Sequence, residues 1–207
     1  MPDFQQTFIN RRSFAKLLLP FLVQPFASMA LAGQINTDVD ASSVSQSRAT
    51  PLGLYLTAKG AHQALAADPG ILLIDVRDPI EVSFVGHPDG MDQNIPIRLA
   101  THELNPQSGT YKMVDNPNFL KEVEALLARE GLSKSDPIIV SCRSGPRSGA
   151  AARVLIKAGY TNVWNQIEGF EGSKNSDGVR AKNGWRNAGL PWSYKLTPKT
   201  AWVPLGQ

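Results

Sequence analysis

Cysteine is nearly absent from this 207-residue chain, which has one, Cys142. A single thiol excludes an intramolecular disulfide, a Cys-x-x-Cys redox pair and a cysteine zinc cluster, so any cysteine chemistry is that of one sulfur. Histidine is scarce too. His62 and His102 have no partner at metal-ligand spacing, and no metal, nucleotide or flavin motif appears, so no metal or cofactor is expected. No apolar run reaches the ~20 residues that a spanning helix needs. The longest, over residues 17–32, is interrupted by Pro20 and Pro25. There is no internal repeat, and the only biased tract is a serine-rich stretch after position 33. The remaining composition, 42% hydrophobic and 19% charged, is that of one globular domain with some extra chain.

The extra chain begins at the N-terminus. Arg11 and Arg12 precede Ser13, Phe14, Ala15 and Lys16, then the apolar run, which closes on the small-x-small pattern Ala30-Leu31-Ala32. Residues 1–32 thus read as an export signal, and Asn-Arg-Arg-Ser-Phe-Ala-Lys resembles the twin-arginine motif. A general secretory signal or a retained anchor are the alternatives. Export implies a periplasmic location, with no membrane association once the signal is cleaved. The formal net charge of +3 is mostly signal: cleavage after Ala32 removes Arg11, Arg12 and Lys16 against Asp3 alone. Nucleic-acid binding thereby loses its only compositional support.

Residues 33–50 read as a flexible linker, serine-rich and without aromatic residue or hydrophobic period. A folded domain is expected over 51–192. Thr57 caps a short helix running to Ala67, which Asp68-Pro69-Gly70 stops. Ile71-Leu72-Leu73-Ile74 and Pro137-Ile138-Ile139-Val140-Ser141 are too short for helices and apolar on both faces, as strands inside a parallel sheet are. Further strands are expected over 94–98 and 161–164. A helix from Asn116-Pro117 ends at Gly131, and another spans 149–158, closed by Gly159. This rhythm predicts a parallel α/β sheet, whose ligands bind beyond the carboxyl ends of the strands, where Cys142 lies.

The loop Cys142-Arg143-Ser144-Gly145-Pro146-Arg147-Ser148 joins a buried strand to a helix start. Helix starts present unpaired N–H groups and partial positive charge, and Arg143 and Arg147 add full charges. Such a field attracts anions and favours a thiolate over a thiol, making Cys142 a candidate nucleophile. Gly145 permits the close backbone approach of a cradle, while Pro146 removes one donor. An isolated cysteine before a turn is more often inert and buried; the flanking Arg, Gly and Arg weigh against that here.

Cys-Arg-Ser-Gly-Pro-Arg-Ser resembles the Cys-x-x-Gly-x-Arg-Ser active loop of the rhodanese (sulfurtransferase) family. Asp75-Val76-Arg77 with Glu81, Gly86-His87, Asn94-Ile95-Pro96, Gly159-Tyr160 and Gly169-Phe170 resemble its other motifs in order, and Trp185 to Pro191 resembles its closing turn. The resemblance covers about residues 54–192. It implies a rhodanese-like α/β fold, a parallel five-stranded sheet with helices on both faces. It also implies that Cys142 accepts sulfane sulfur from a small anionic donor such as thiosulfate, as a persulfide, and passes it to a thiophilic acceptor. A dianionic donor needs compensating charge, for which Arg143, Arg147 and the loop amides, Gly145 included, are the candidates. Ser144 and Ser148 are candidates for hydrogen bonds to the outer sulfur, with Ser148 alternatively capping the next helix. Asp75, Arg77 and Glu81 read as structural, with Arg77 pairing Glu81 and Asp75 holding loop backbone, and His87 as a structural histidine.

Two departures stand out. The segment from Gly86 to Asn94 is one residue longer than the family pattern, and a polar insertion runs from Ser173 to Gly184. Lys174, Arg180 and Lys182 of that insertion are candidates for contact with an anionic donor or a partner, though a solvated surface loop is the commoner role. Phosphatases of the same fold need Cys-x5-Arg; here Ser148 stands where that arginine would be. A sulfur-carrier or partner-binding module is the other alternative. The tail over 193–207, with Trp202, either docks a protein partner or packs on its own domain.

Overall fold

The computed structural model describes residues 35–206; the segment over 1–32 that reads as an export signal lies outside them. In chain order the elements are β1 (Tyr55–Leu56), α1 (Ala58–Ala67), β2 (Leu72–Asp75), α2 (Pro79–Val85), β3 (His87–Pro88), β4 (Gln93–Asn94), β5 (Arg98–Asn105), β6 (Thr110–Asp115), α3 (Phe119–Glu130), β7 (Ile138–Ser141), α4 (Pro146–Lys157), β8 (Val163–Gln166) and β9 (Trp192–Ser193). A five-stranded sheet runs β1-β8-β7-β2-β4, with every neighbouring pair parallel.

Alternation along the central strands explains why they are apolar throughout. Leu72, Ile74, Ile138 and Val140 face one core with Phe119, Val123, Leu126 and Leu127 of α3 and Ala151, Ala152 and Leu155 of α4. Leu73 and Ile139 point the other way, into a second core with Ala58 and Ala61 of α1, Val82 of α2, Phe170 and Trp185. Helices therefore cover both faces, as expected. Each buried Leu or Ile contributes roughly 1.5–3 kcal/mol, which commits the strand ends to one register.

Local chemistry sets the helix boundaries. Thr57 Oγ1 accepts from Gly60 N at 3.0 Å and caps α1. Asp78 and Glu81 form a capping box on α2, with Pro79 in its first turn. Gly131, at φ +70°, ends α3 in the left-handed region. Asn94 Nδ2 donates to the carbonyls of Asp75 (2.8 Å) and Arg77 (2.9 Å), clamping the chain as it leaves β2.

Several expectations are corrected. The strand expected over 94–98 is only Gln93–Asn94 in the sheet; from Arg98 the chain departs into an antiparallel hairpin, β5 with β6, lying outside the sheet. The hairpin went unread because its apolar residues do not form a buried face: Leu104, Tyr111 and Val114 are all more than half exposed. Helix α4 starts at Pro146, three residues before the expected start.

The stretch over 33–50 does not behave as a flexible linker where it is described. Thr37 Oγ1 donates to Tyr55 O at 2.7 Å, and the Asp38 carboxylate accepts from Thr57 N at 2.8 Å and from the Thr57 hydroxyl. Further on, Arg48 O accepts from Asn165 Nδ2 (2.8 Å), and Arg153 Nη1 donates to Ala49 O (2.7 Å). Polar contacts of this kind leave no hydrophobic period in the sequence. The tail packs on its own domain: β9 pairs with β3, Asn94 N donates to Thr200 O, and Trp202 Nε1 donates to Glu122 Oε2. No helix among the described residues is long and apolar enough to cross a membrane.

Candidate active site

Cys142 follows β7 directly, at the carboxyl end of the central strands, and is 1% exposed. Its Sγ accepts from Gly145 N at 3.1 Å and from Ser148 Oγ at 3.4 Å. The first of these bonds requires the loop to fold back, and Gly145 allows it with φ +103°. A Cβ at that position would meet Ile167 O at 2.2 Å. Ser148, fully buried, has Gly145 O at 2.8 Å as well, so its one hydroxyl proton is shared between that carbonyl and Sγ. It is therefore not the cap of α4, whose N-cap is Gly145 without a side-chain bond.

A second loop closes over the first. Phe170 N donates to Cys142 O (2.7 Å), and the amides of Glu171 (3.0 Å) and Gly172 (3.1 Å) both donate to Arg143 O. Gly169, at φ +71°, makes room for this, since a Cβ there would fall 2.3 Å from Ser144 N. Gln166 Oε1 holds Gly169 N at 2.6 Å.

The arginines are placed by carboxylates. Arg147 makes a two-pronged pair with Glu81, through Nη1 to Oε2 and through Nη2 to Oε1 at 2.7 Å. Burial pushes the Glu81 carboxyl upward, but the bond and charge of Arg147, aided by Arg77 and the Asp78 amide, hold it below its ordinary value. Burial likewise opposes the charge on Arg147, and Glu81, Cys142 and Asp75 outweigh it, so its pKa lies above that of an ordinary arginine. Arg143 Nε pairs with Glu171 Oε2, and Arg186 Nη2 reaches Glu171 Oε1 at 3.3 Å.

The expected pairing of Arg77 with Glu81 is not formed. Spacing of four residues brings side chains together only within one helix, and Arg77 precedes the cap of α2. Its Nε and Nη2 turn back to Asp75, with Nη2 2.6 Å from Oδ2, and Nη2 also reaches Gly86 O at 2.7 Å. The pair is fully buried beneath Phe170, whose ring centroid lies 4.7 Å from the guanidinium carbon. Asp75 also accepts from Arg77 N, holding the loop backbone. His87 is buried between the carbonyls of Pro88 (3.0 Å) and Lys195 (3.3 Å).

The sequence model of the Rhodanese-like domain matches residues 57–176. The chain belongs to the rhodanese-like domain family. It is similar to the uncharacterized protein RP600 of Rickettsia prowazekii (strain Madrid E), 31% identical over 134 residues, which are 65% of this chain and 92% of that protein. It is also similar to Thiosulfate sulfurtransferase 16, chloroplastic, of Arabidopsis thaliana, 34% identical over 131 residues, 63% of this chain and 85% of that one. Among solved structures, the crystal structure of Rv0390 from M. tuberculosis superposes with a TM-score of 0.53 at 35% identity, covering 68% of this chain and 97% of that one.

Three groups of this rhodanese-like domain escaped the sequence reading. Glu171 lies inside the matched region, two residues past Gly169, and its only signal was an acid beside the Gly-Phe pair. Arg186 and Arg48 lie outside that region. Arg48 Nε donates to Ser144 O at 3.0 Å, so the supposed linker touches the Cys142 loop itself. A lone arginine among serines carries no local signal of such a contact. Of the expected site residues, Cys142, Gly145, Arg147 and Ser148 converge with Glu81, while Arg143 turns toward Glu171. Among the described residues, no group of three His, Cys, Asp or Glu side chains is placed to hold a metal ion.

Proposed function

We propose that this rhodanese-like protein is a sulfurtransferase that carries sulfane sulfur on Cys142. The observation that carries this reading is the sulfur itself, set at the N-terminal end of α4 with donors from Gly145 N at 3.1 Å and Ser148 Oγ at 3.4 Å. The same donors can support a persulfide anion once the outer sulfur is in place. With thiosulfate, the Cys142 thiolate bonds the outer sulfur, the bond between the two donor sulfurs breaks, and sulfite leaves with the electron pair. Cyanide or another thiophile then takes the outer sulfur and restores the thiolate. The thiolate and the donor dianion repel by about 4 kcal/mol for each pair of unit charges at 4 Å and an effective dielectric of 20. The arginines around the loop offset that cost. Export to the periplasm rests on the Arg11-Arg12 and Ala30-x-Ala32 pattern; N-terminal sequencing of protein from the cell envelope should begin at Gly33, and a start at residue 1 argues against it.

Intact-mass spectrometry of the full-length protein tests the transfer. Treatment with thiosulfate should add one sulfur atom, and cyanide should remove it with release of thiocyanate; Cys142→Ser should gain none. If folded protein gains no sulfur from thiosulfate, polysulfide or mercaptopyruvate, the enzymatic reading fails and a carrier or docking module takes its place. One observation favours that second reading: Ile80 and Phe84, 66% and 77% exposed on α2, flank the Glu81 that holds Arg147. They would offer a protein acceptor an apolar footing beside the loop.

A further inference from the structure

Arginines around the Cys142 loop outnumber the carboxylates that hold them. Arg77 is matched by Asp75 and Arg147 by Glu81, but Arg143 and Arg186 share the one carboxylate of Glu171. Arg180, from the polar insertion, makes no ion pair among the described residues. Its Nη1 donates to Gly172 O at 2.6 Å, and its Nε is buried without a hydrogen-bond partner. In a guanidinium, the Nε–H and one Nη2 N–H lie parallel along one edge. Arg77 presents that edge to Asp75. With Nη1 taken by Gly172, the same edge of Arg180 has no acceptor among the described residues. A buried donor left this way is the kind of group that a bound partner explains.

The insertion holds this guanidinium close to the loop. Gly172, which anchors Arg180, donates its own amide to Arg143 O at 3.1 Å. The two N–H groups of Asn187 Nδ2 lie among the carbonyls of Glu171 (2.9 Å), Asn183 (2.9 Å) and, more distantly, Arg180 (3.2 Å). The Arg180 backbone also bridges to Lys174, closing the insertion into a short antiparallel turn. Burial, and next the charge of Arg143, lower the Arg180 pKa against the opposing pull of Glu171 and Cys142. Arg180 is thus a cation short of counter-charge, within electrostatic reach of Cys142.

We infer that Arg180 is the donor-recognising residue, whose Nε and Nη2 edge takes two oxygens of a sulfonate while the donor's outer sulfur faces Cys142. This rests on the sulfur-transfer reading above. It gives the insertion a binding role, and it leaves Arg143 and Arg147 to supply field and to position the loop through Glu171 and Glu81.

The test compares wild type, Arg180→Gln and Arg180→Lys as full-length proteins, with thiosulfate and with inorganic polysulfide, which has no sulfonate. Arg180→Gln should raise the KM for thiosulfate at least tenfold, with a much smaller fall in kcat. The thiosulfate-to-polysulfide ratio of kcat/KM should drop about tenfold, and Arg180→Lys should recover part of it. Equal losses on both donors, or an unaltered thiosulfate KM, would overturn the inference. Calorimetric binding of thiosulfate to Cys142→Ser, with and without Arg180→Gln, separates it from the reading beneath. Tenfold weaker binding on losing Arg180 supports recognition even if wild type gains no sulfur, in which case the transfer reading alone falls; equal affinity sinks recognition whatever the chemistry.

Discussion

Two connections, leaving the carboxyl ends of β7 and β4 on either side of β2, are built in opposite ways. After β7, the chain makes a short buried loop in which Cys142, Gly145 and Ser148 are all below the surface and the carbonyls of Cys142, Arg143 and Ser144 all accept hydrogen bonds. After β4, it makes the long β5–β6 hairpin, whose β6 strand is exposed along its whole length. The loop is gripped from three directions: by the 169–172 segment, by Arg48 and by Glu81 through Arg147. The hairpin is tied to the domain near its base, where Ala100 N donates to Asp78 Oδ2 at 2.8 Å. Rigidity is concentrated where a sulfur atom must be presented in one geometry, which is what a preorganised site requires.

Substitutions should divide along this line. The largest effect is expected from Gly145→Ala. It forces a side chain onto φ +103° and into Ile167 O, and should cost about 3 kcal/mol of stability in denaturant melts while abolishing sulfur loading. A variant as stable and as active as wild type would show that the cradle tolerates a different path.

A smaller effect, with a pH signature, is expected from Glu81→Gln. Because the folded-state pKa of Glu81 is held below its ordinary value, its pairing with Arg147 contributes stability that is full above about pH 4.5 and is lost as pH falls through the lowered pKa. Removing the carboxylate should cost about 1.5–3 kcal/mol at neutral pH, and should flatten the acid side of the stability profile. An unaltered acid limb would mean that the pair is not coupled to folding.

The smallest effect is expected in the hairpin. Leu104→Thr and Tyr111→Thr, at positions 61% and 62% exposed, should change stability by no more than about 0.5 kcal/mol and leave sulfur loading intact. A loss of loading with stability preserved would instead make the hairpin part of the functional surface.

The same contrast explains what was legible in the chain. The buried strands announced themselves because continuous apolar tetrads such as 71–74 have no other stable use between two layers of helices. The Cys142 loop announced itself because strand, cysteine, glycine and paired arginines are adjacent in sequence. The hairpin did not, although Gly109 and the Thr110-Tyr111 pair mark a turn entering a strand; with both faces wet, there was no alternation between core and solvent to read.

By itself, then, the sequence determined the parallel α/β architecture, the Thr57 cap of α1, the glycine end of α3 and the position of the sulfur. These depend on interactions within a few residues and on the period of apolar side chains. Only the tertiary structure decided which carboxylate each arginine meets, that residues 37–49 strap the domain, and that Arg180 makes no ion pair among the described residues. Glu81 finds Arg147 across 66 residues of chain, and Arg48 finds Ser144 across 96. Charged side chains are alike in sequence whatever their partners. Which of them meet depends on where the sheet delivers its loops.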